Sequence, residues 1–438
     1  MSIKRQMLFV LLIVAMLVPV TVSVISQDEP IQIQFWHAMS GSRTEIVDGL
    51  VAGFNEANPG VEIVAEFKGS YAETMAAAMA AYRAGEPPHI IQVYEVGTRT
   101  MLDSGVIVSA MELSGGELDS SMFVEPIINY YSIDGELSCM PFNSSTAMLY
   151  YNKDIFEAAG LDPDVPPTTF NELYEMGLQI LESEAASGAV SFGWPAWIME
   201  QMFATHDQFL ADNNNGRESA ATEVYFNSEF GTAVLTEWQK WAEDGVLVYG
   251  GRSYKANDPF IAGEFAMLAQ STSSLAGIKA SVDFNLGTAF LPSLDGWDRA
   301  GNNVIGGGCL WTFQEHPEED YDAIWDFFQF LAETDSAITW HKGTGYFPST
   351  NAAVTQLDDE GWFMENPNFL TAFDQILAGN NTEAASGVLL GNFVAIRDIV
   401  GTAIEEAVVN GVDPQEALDA AVEETNQILE DYISLIGE

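Results

Sequence analysis

The chain has 438 residues, of which 47% are apolar, and this length is enough for two globular domains with separate cores. It carries 64 acidic residues against 15 basic ones, which gives a formal net charge of −49 at pH 7. Such a charge repels polyanions, so it argues against a nucleic-acid-binding protein and against docking on anionic membranes. The acidic residues are dispersed, and both adaptation to a saline habitat and simple solubility explain such a surface.

The N-terminus has the pattern of an export signal. The basic pair Lys4-Arg5 precedes an apolar run over residues 7–25, which ends in small residues. We expect cleavage after Ser26, so that residues 1–26 form a signal peptide and the mature protein is periplasmic or extracellular. The run is also long enough to span a bilayer, and a retained membrane anchor is therefore the alternative.

The cysteine content is low, because Cys139 and Cys309 are the only two. Both lie in apolar segments typical of strands, which favours two buried thiols, with one disulfide as the alternative in an exported protein. Sequence alone does not give the Cα separation that a disulfide requires. Two cysteines and five scattered histidines supply no clustered set of ligands, so we predict neither a metal nor a cofactor.

The first part of the mature chain alternates strands with helices. Strand patterns at residues 31–37, 61–67 and 89–94 are separated by two amphipathic helix patterns. This order predicts an α/β fold that begins with a parallel sheet. Ligands bind beyond the carboxyl ends of such strands, so we expect Tyr71 and Glu95 at one rim. Packing at a helix start is the alternative for Tyr71, whereas a buried Glu95 needs a partner.

A polar cluster interrupts the apolar segment between residues 140 and 152. It consists of Asn143, Ser144, Ser145 and Thr146, and no nucleophile with a base accompanies it. Hydroxyl and amide groups in a buried setting are typical of hydrogen bonding to a small hydroxylated ligand rather than of chemistry on it.

Two tryptophans lie three residues apart in the segment Gly193-Trp194-Pro195-Ala196-Trp197. Aromatic rings beside a proline can form a stacking wall for the carbon face of a ligand. Packing in the core is the alternative for Trp194 and Trp197.

A strand pattern over residues 260–268 leads into a hydroxyl cluster that contains Ser271. This cluster lies at a predicted helix start, where free N-H groups can hold an anion, and ordinary helix capping is the alternative. Further along, Gly307 lies in a run of three glycines before an apolar strand, where a backbone can approach a ligand closely.

Two candidate residues follow an aromatic helix predicted over residues 321–339. A turn after this helix presents Tyr346. Arg397 lies between apolar neighbours, which indicates either a structural pair with an acid such as Asp398 or a cation reserved for a ligand anion.

Taken together, these segments resemble the extracellular solute-binding proteins of ABC importers, and within them the glycerol-3-phosphate-binding proteins of Ugp-type systems. The segments that carry the resemblance are Phe35-Trp36-His37, Lys68-Gly69-Ser70-Tyr71, Gln92 to Thr98, Pro141 to Thr146, Leu149 to Asp154, Ser274-Leu275-Ala276, Ile305-Gly306-Gly307, Thr344-Gly345-Tyr346 and Ile396-Arg397.

The resemblance implies a two-lobed α/β fold of the periplasmic-binding-protein type II, or Venus-flytrap, class with hinge-crossing strands. Residues 27–141 and 305–348 are then expected to form the N-terminal lobe, and residues 142–304 and 349–438 the C-terminal lobe.

The resemblance also implies a set of ligand contacts: Tyr71, Glu95, Ser145, Trp194, Trp197, Ser271, Gly307, Tyr346 and Arg397. Arg397, Ser271, Tyr346 and the Gly307 N-H are expected to hold a phosphate, because charged and oriented donors make the strongest bonds. Glu95 and Tyr71 are expected to bind glycerol hydroxyls, and the two tryptophans to cover the carbon chain.

The function implied is an exported, monomeric binding protein that captures sn-glycerol-3-phosphate or glycerophosphodiesters. It would deliver them to ABC permease subunits with their ATPase, without a covalent step. A sugar or oligosaccharide carrier is the alternative, in which Arg397 is only structural. An exported phosphoester hydrolase is a third reading, but no His-Glu-x-x-His or Gly-x-Ser-x-Gly motif occurs.

Overall fold

The computed structural model describes residues 30–133 and 135–437, and the predicted signal peptide lies outside them. Within these ranges the strands are β1 (Ile31–His37), β2 (Val61–Phe67), β3 (Ile90–Tyr94), β4 (Ile107–Val108), β5 (Ser132–Ile133), β6 (Glu136–Leu137), β7 (Met140–Ser145), β8 (Ala147–Asn152), β9 (Gly188–Phe192), β10 (Phe265–Ser271), β11 (Leu286–Ala289) and β12 (Gly306–Phe313).

The helices of the same ranges are α1 (Ser42–Ala57), α2 (Tyr71–Arg83), α3 (Thr98–Ser104), α4 (Ala110–Leu113), α5 (Glu125–Tyr131), α6 (Lys153–Ala158), α7 (Phe170–Glu182), α8 (Pro195–Thr205), α9 (Asp212–Gly216), α10 (Glu229–Glu243), α11 (Asn257–Ile261), α12 (Leu275–Ser281), α13 (Glu318–Ala332), α14 (Thr334–Thr344), α15 (Asn351–Asp359), α16 (Trp362–Glu365), α17 (Pro367–Leu377), α18 (Phe393–Val408) and α19 (Pro414–Ile436). None of these described helices is long and apolar enough to cross a bilayer.

The first sheet has the order β2-β1-β3-β12-β4, and β7 pairs with β12. Strand β1 runs parallel to β2 and to β3, as the alternation of strands and helices predicts. The side chains of Ile33 and Phe35 are buried while Gln32 and Gln34 are exposed, so one face of β1 supports the core. The α/β prediction for this part of the chain is confirmed.

The second sheet has the order β11-β8-β10-β9. Strands β8 and β10 pair antiparallel, and both are buried along their whole length, so this sheet is covered on both faces. The first sheet lies in one hydrophobic cluster. The second sheet contributes to two, because Met148 and Leu268 belong to the cluster of the first sheet whereas Leu149 and Ala269 belong to another. The chain therefore has the predicted two-lobed α/β fold.

The chain passes between the sheets where β7 ends and β8 begins, at Thr146. A second crossing precedes β12, and the two crossings contact each other because the Thr146 hydroxyl donates to the Val304 carbonyl oxygen at 3.2 Å. The Gln201 amide also binds both the N-H and the carbonyl of Val304, at 3.1 Å each. The predicted lobe boundaries stay a prediction, and the first of them, between residues 141 and 142, falls inside β7.

Two predicted elements are each divided in the structure. The predicted strand 260–268 begins as the end of α11, turns at Gly263 with φ 76°, and becomes a strand only at β10. The predicted helix 321–339 is broken at Glu333, whose ψ of 146° is not helical. The two halves share α1 as a partner, but α13 also packs on β1 whereas α14 also packs on α12 and α15.

The favoured reading of two free thiols is wrong, because Cys139 and Cys309 form a disulfide. Cys139 directly precedes β7 and Cys309 lies in β12, and these strands are antiparallel neighbours. Their Cα atoms are 5.8 Å apart, within the range that a disulfide requires. The pairing follows from the register of two strands that are 170 residues apart in sequence.

Candidate ligand-binding site

One cavity collects every ligand-binding residue predicted from the sequence. Its lining is Tyr71, Tyr94, Glu95, Ser145, Trp194, Trp197, Tyr254, Ser271, Gly307, Tyr346 and Arg397. It adjoins a larger cleft that shares several of these residues and reaches Arg43 and Arg252. The structure thus brings the predicted residues together, and their contact with a ligand stays a prediction.

The lining residues come from the ends of elements in both lobes. Tyr71 begins α2, and Glu95 directly follows β3, at the rim of the first sheet. Ser145 ends β7, next to the first crossing. From the second lobe, Ser271 ends β10 and Arg397 lies on α18. The cavity therefore lies where the carboxyl ends of strands meet a helix of the opposite lobe.

Arg397 is held between two buried carboxylates. Its Nε and Nη2 donate to Glu200 at 2.8 and 2.7 Å, and its Nη1 donates to Glu95 at 2.6 Å. The structural pairing anticipated for Arg397 thus uses Glu95 and Glu200 and not Asp398. Burial raises the pKa of the Glu200 carboxyl above its ordinary value, and the charge and hydrogen bonds of Arg397 oppose that rise.

The tryptophan pair lies at the N-terminal end of α8. Trp194 has a left-handed backbone conformation with φ 58°, which is costly for a bulky residue and directs its ring across the chain. Its ring meets Tyr254 edge to face, with centroids 5.5 Å apart. Trp197 is buried, and a Cβ at Gly306 would collide with its ring. Both rings line the cavity, so both could stack on the carbon face of a ligand as predicted. Trp197 is also part of the hydrophobic core.

Tyrosine hydroxyls gather at the same place. The Tyr71 ring stacks on Tyr94 with centroids 4.9 Å apart, and its hydroxyl accepts a hydrogen bond from the Asn143 amide at 2.6 Å. Burial raises the pKa of the Tyr71 hydroxyl, and the neighbouring Tyr346 and Tyr254 hydroxyls raise it further. The Tyr71 phenol therefore stays protonated at neutral pH.

Ser271 takes the capping role that was the alternative to an anion site. Its Oγ accepts from the Ser273 N-H at 3.2 Å and lies 2.9 Å from the Ser273 hydroxyl. Gly307 has φ 92°, and a Cβ there would collide with the Asn143 carbonyl oxygen. Only glycine fits this close approach of β12 to β7, so Gly307 brings its backbone to the cavity.

Sequence reasoning missed Glu200, Tyr254 and Arg43 in this region, and it placed Tyr94 at the rim without counting it among the ligand contacts. Tyr94 ends β3 and, like Glu95, lies at the carboxyl end of a parallel strand, where ligands bind. Glu200 lies one helical turn after Trp197 on α8, so their side chains share a face. Tyr254 begins a 3-10 turn of 3 residues, which is too short to show a periodic pattern. Arg43 follows β1 across the short Ser40-Gly41-Ser42 turn, and the scarcity of basic residues was the signal that could have singled it out.

A second cluster of titratable groups lies away from the cavity. The ligand atoms of His89, His316 and Asp320 lie within 4.8 Å of one another, a spacing that a metal ion could use. The Gln34 N-H donates to Nδ1 of His89, so the proton of the neutral ring is on Nε2, which faces Asp320 at 3.3 Å. A metal ion could bind Nε2 only if that proton were removed. We therefore describe the cluster as a hydrogen-bonded contact and not as a metal site.

Known proteins resemble this chain over most of its length. The model of a family described as bacterial extracellular solute-binding protein matches residues 49–371. The sn-glycerol-3-phosphate-binding periplasmic protein UgpB of Escherichia coli K12 is 37% identical over 404 residues, which are 91% of this chain and 92% of that protein. UgpB of Shigella flexneri matches with the same identity and coverage.

Solved structures of solute-binding proteins share the fold. UgpB from Mycobacterium tuberculosis in complex with glycerophosphocholine has a TM-score of 0.78 and 22% identity, covering 91% of this chain and 98% of that chain. The GacH receptor of Streptomyces glaucescens, solved unliganded and with acarbose, has a TM-score of 0.77 and 16% identity, covering 92% and 100%. At these identities the likeness concerns the fold alone.

Proposed function

The chain belongs to the family of bacterial extracellular solute-binding proteins, and from this premise we propose that it captures sn-glycerol-3-phosphate or a glycerophosphodiester for an ABC importer. The observation that carries the proposal is the cavity between the lobes, in which a tryptophan pair, several hydroxyl groups and a guanidinium meet. The identity to glycerol-3-phosphate-binding proteins over nearly the whole chain supports the same ligand class.

Different residues of this site bind different chemical groups of such a ligand. Trp194 and Trp197 cover the carbon chain, while Ser271, Tyr346 and the Gly307 backbone offer donors to phosphate oxygens. Glu95 and Tyr71 bind the glycerol hydroxyls. The guanidinium of Arg397 has five N-H donors, of which three are used by Glu95 and Glu200, so two are left for the ligand.

Binding between the lobes couples capture to delivery. A ligand that contacts both lobes stabilises the closed arrangement, and the permease subunits with their ATPase then recognise that arrangement. We propose that the protein acts as a monomer, binds no nucleic acid and carries out no covalent step. Export by residues 1–26 would bring it to the periplasm, where the curated relatives act according to their names.

A sugar carrier is the second candidate, and one observation favours it. In the sugar reading Arg397 is a structural residue, and its pairing with two carboxylates fits that role as well. Trp194, Trp197 and Glu95 would then serve a carbohydrate ring.

Titration of the mature protein separates the two candidates. Heat and tryptophan fluorescence are followed with sn-glycerol-3-phosphate, glycerophosphocholine, glycerol and maltose, in low and in molar salt. We expect micromolar binding of a glycerophosphate and none of glycerol. Binding of maltose alone would leave the fold assignment intact but refute the proposal that the ligand is a glycerophosphate.

A further inference from the structure

The cation predicted to hold the phosphate is already balanced by acids. Arg397 bonds to Glu95 and Glu200, and all three side chains are about nine-tenths buried. The formal charge of this triad is −1. A phosphate placed against it in a buried cavity would need a further positive charge, because an uncompensated buried anion is costly.

Arg43 supplies a positive charge that no carboxylate within residues 30–133 and 135–437 balances. It lies in the first turn of α1, and its Nη2 donates to the Ser273 carbonyl oxygen at 2.9 Å. The titratable groups that act on its guanidinium are Tyr71, Tyr254 and Tyr346, and among the described residues it forms no pair with a carboxylate. Its remaining N-H donors are therefore available to a ligand.

Hydroxyl groups surround this guanidinium. Its carbon lies 5.5 Å from the ring centres of both Tyr254 and Tyr346. The side chain of Tyr254 hydrogen-bonds to Arg43 and to Ser273. The Ser273 hydroxyl in turn lies 2.9 Å from that of Ser271, which lines the cavity. A guanidinium ringed by O-H donors is suited to an oxyanion, since planar forks and hydroxyls both match phosphate oxygens.

We propose that Arg43, with Tyr254, Tyr346 and Ser273, forms the subsite for the anionic group of the ligand, while Arg397 with its two carboxylates receives the hydroxyl groups. This assignment rests on the proposed capture of a glycerophosphate and deepens it. Arg43 belongs to the first lobe and Ser273 to the second, so an anion bound at this place contacts both lobes and favours their closure.

The test uses Arg43→Gln in the full mature protein, with Arg83→Gln as the matched control. Arg83 is exposed near the end of α2, so its substitution removes the same charge away from the cavity. Affinities for sn-glycerol-3-phosphate and glycerophosphocholine are measured by calorimetry at several salt concentrations. We expect Arg43→Gln to weaken both ligands at least about tenfold and Arg83→Gln to change them less than about twofold.

The salt dependence of the affinity distinguishes two roles of Arg43. Arg43 either contacts the anionic group of the ligand or only holds the two lobes together. If Arg43 neutralises the ligand, the affinity of Arg43→Gln falls less steeply with salt than that of the wild type. Arg43→Lys, which keeps the charge, is expected to recover part of the lost affinity. A urea unfolding curve for each variant checks that the fold is intact.

Two results would overturn the inference in distinguishable ways. Wild-type affinity in Arg43→Gln, or weakening with an unchanged salt dependence, refutes the anion subsite and leaves the proposed function standing. A wild-type protein that binds neither glycerophosphate refutes the proposed function, and the subsite is rejected with it.

Discussion

The guanidinium of Arg397 lies 2.6 Å from the Glu95 carboxylate, so helix α18 of one lobe is bonded to the end of strand β3 of the other. Glu200, on α8, holds the opposite edge of the same guanidinium. A single side chain thus lines the cavity and joins the lobes through buried ion pairs. Substitutions at these residues are therefore expected to change stability as well as binding.

Arg397→Ala is expected to weaken glycerophosphate binding at least about tenfold, or about 1.4 kcal/mol. It should also lower the free energy of unfolding by about 3–5 kcal/mol at neutral pH, because two buried carboxylates lose their partner. Burial raises the pKa of the Glu200 carboxyl, and without Arg397 nothing from that guanidinium opposes the rise. Protonation of Glu200 then favours the folded form, so the deficit should shrink as the pH falls. Urea unfolding at about pH 7.5 and about pH 5 measures both effects. A stability equal to the wild type would show that the carboxylates do not depend on Arg397.

Glu200→Gln is expected to have the opposite effect on affinity. The amide keeps the volume and one acceptor for Arg397 but removes a negative charge beside the cavity. An anionic ligand should then bind about threefold more tightly or better, since nearby charges interact strongly at a buried site.

Calorimetry of sn-glycerol-3-phosphate checks this expectation. The control for Glu200→Gln is Glu157→Gln, which removes an exposed carboxylate on α6. Equal or weaker affinity in Glu200→Gln would mean that the ligand does not experience the charge of the triad, as the sugar reading requires.

The elements near the N-terminus could be predicted from sequence because their periodicity is simple. Strand β1 alternates buried and exposed residues, and α2 begins with the capping box formed by Ser70 and Glu73. The rim rule placed Glu95 correctly, because the position of a strand end follows from local order. Tyr71 was placed at the same rim, and the other predicted residues were singled out in their own segments with structural alternatives left open. The resemblance then joined them into one set of ligand contacts.

What the sequence did not reveal depends on contacts between distant segments. Glu200 was missed because it lies inside an apolar helix, and its partner Arg397 comes from another helix. Tyr254 begins a short 3-10 turn, in which no periodicity tells which way a side chain faces. The disulfide was missed for a related reason, since it depends on the register of β12 against β7.

The disulfide between Cys139 and Cys309 is expected to stabilise the fold by closing a long loop. The cysteines are 170 residues apart, and replacing both by alanine should lower the free energy of unfolding by about 2–5 kcal/mol. Urea unfolding of the double variant measures this change. Alkylation of the unfolded, unreduced wild-type protein should label no thiol, and labelling of both cysteines would contradict the pairing.

His341 is expected to make the protein less stable in acid. Its Nδ1-H donates to the Tyr346 carbonyl oxygen at 2.6 Å, and burial lowers the pKa of the ring from 6.5 to about 4. Between these values the unfolded chain binds the proton and the folded chain does not. The stability is therefore complete above pH 6.5 and is lost as the pH falls towards 4, by on the order of 3 kcal/mol.

The variant His341→Asn tests this expectation, because its amide keeps a donor near the position of Nδ1 but does not titrate. Urea unfolding between about pH 7.5 and about pH 4.5 should give a shallower decline for the variant than for the wild type. Part of the decline should remain, because burial also lowers the pKa of His206 to about 4. A decline as steep in the variant as in the wild type would show that His341 is not the titrating group.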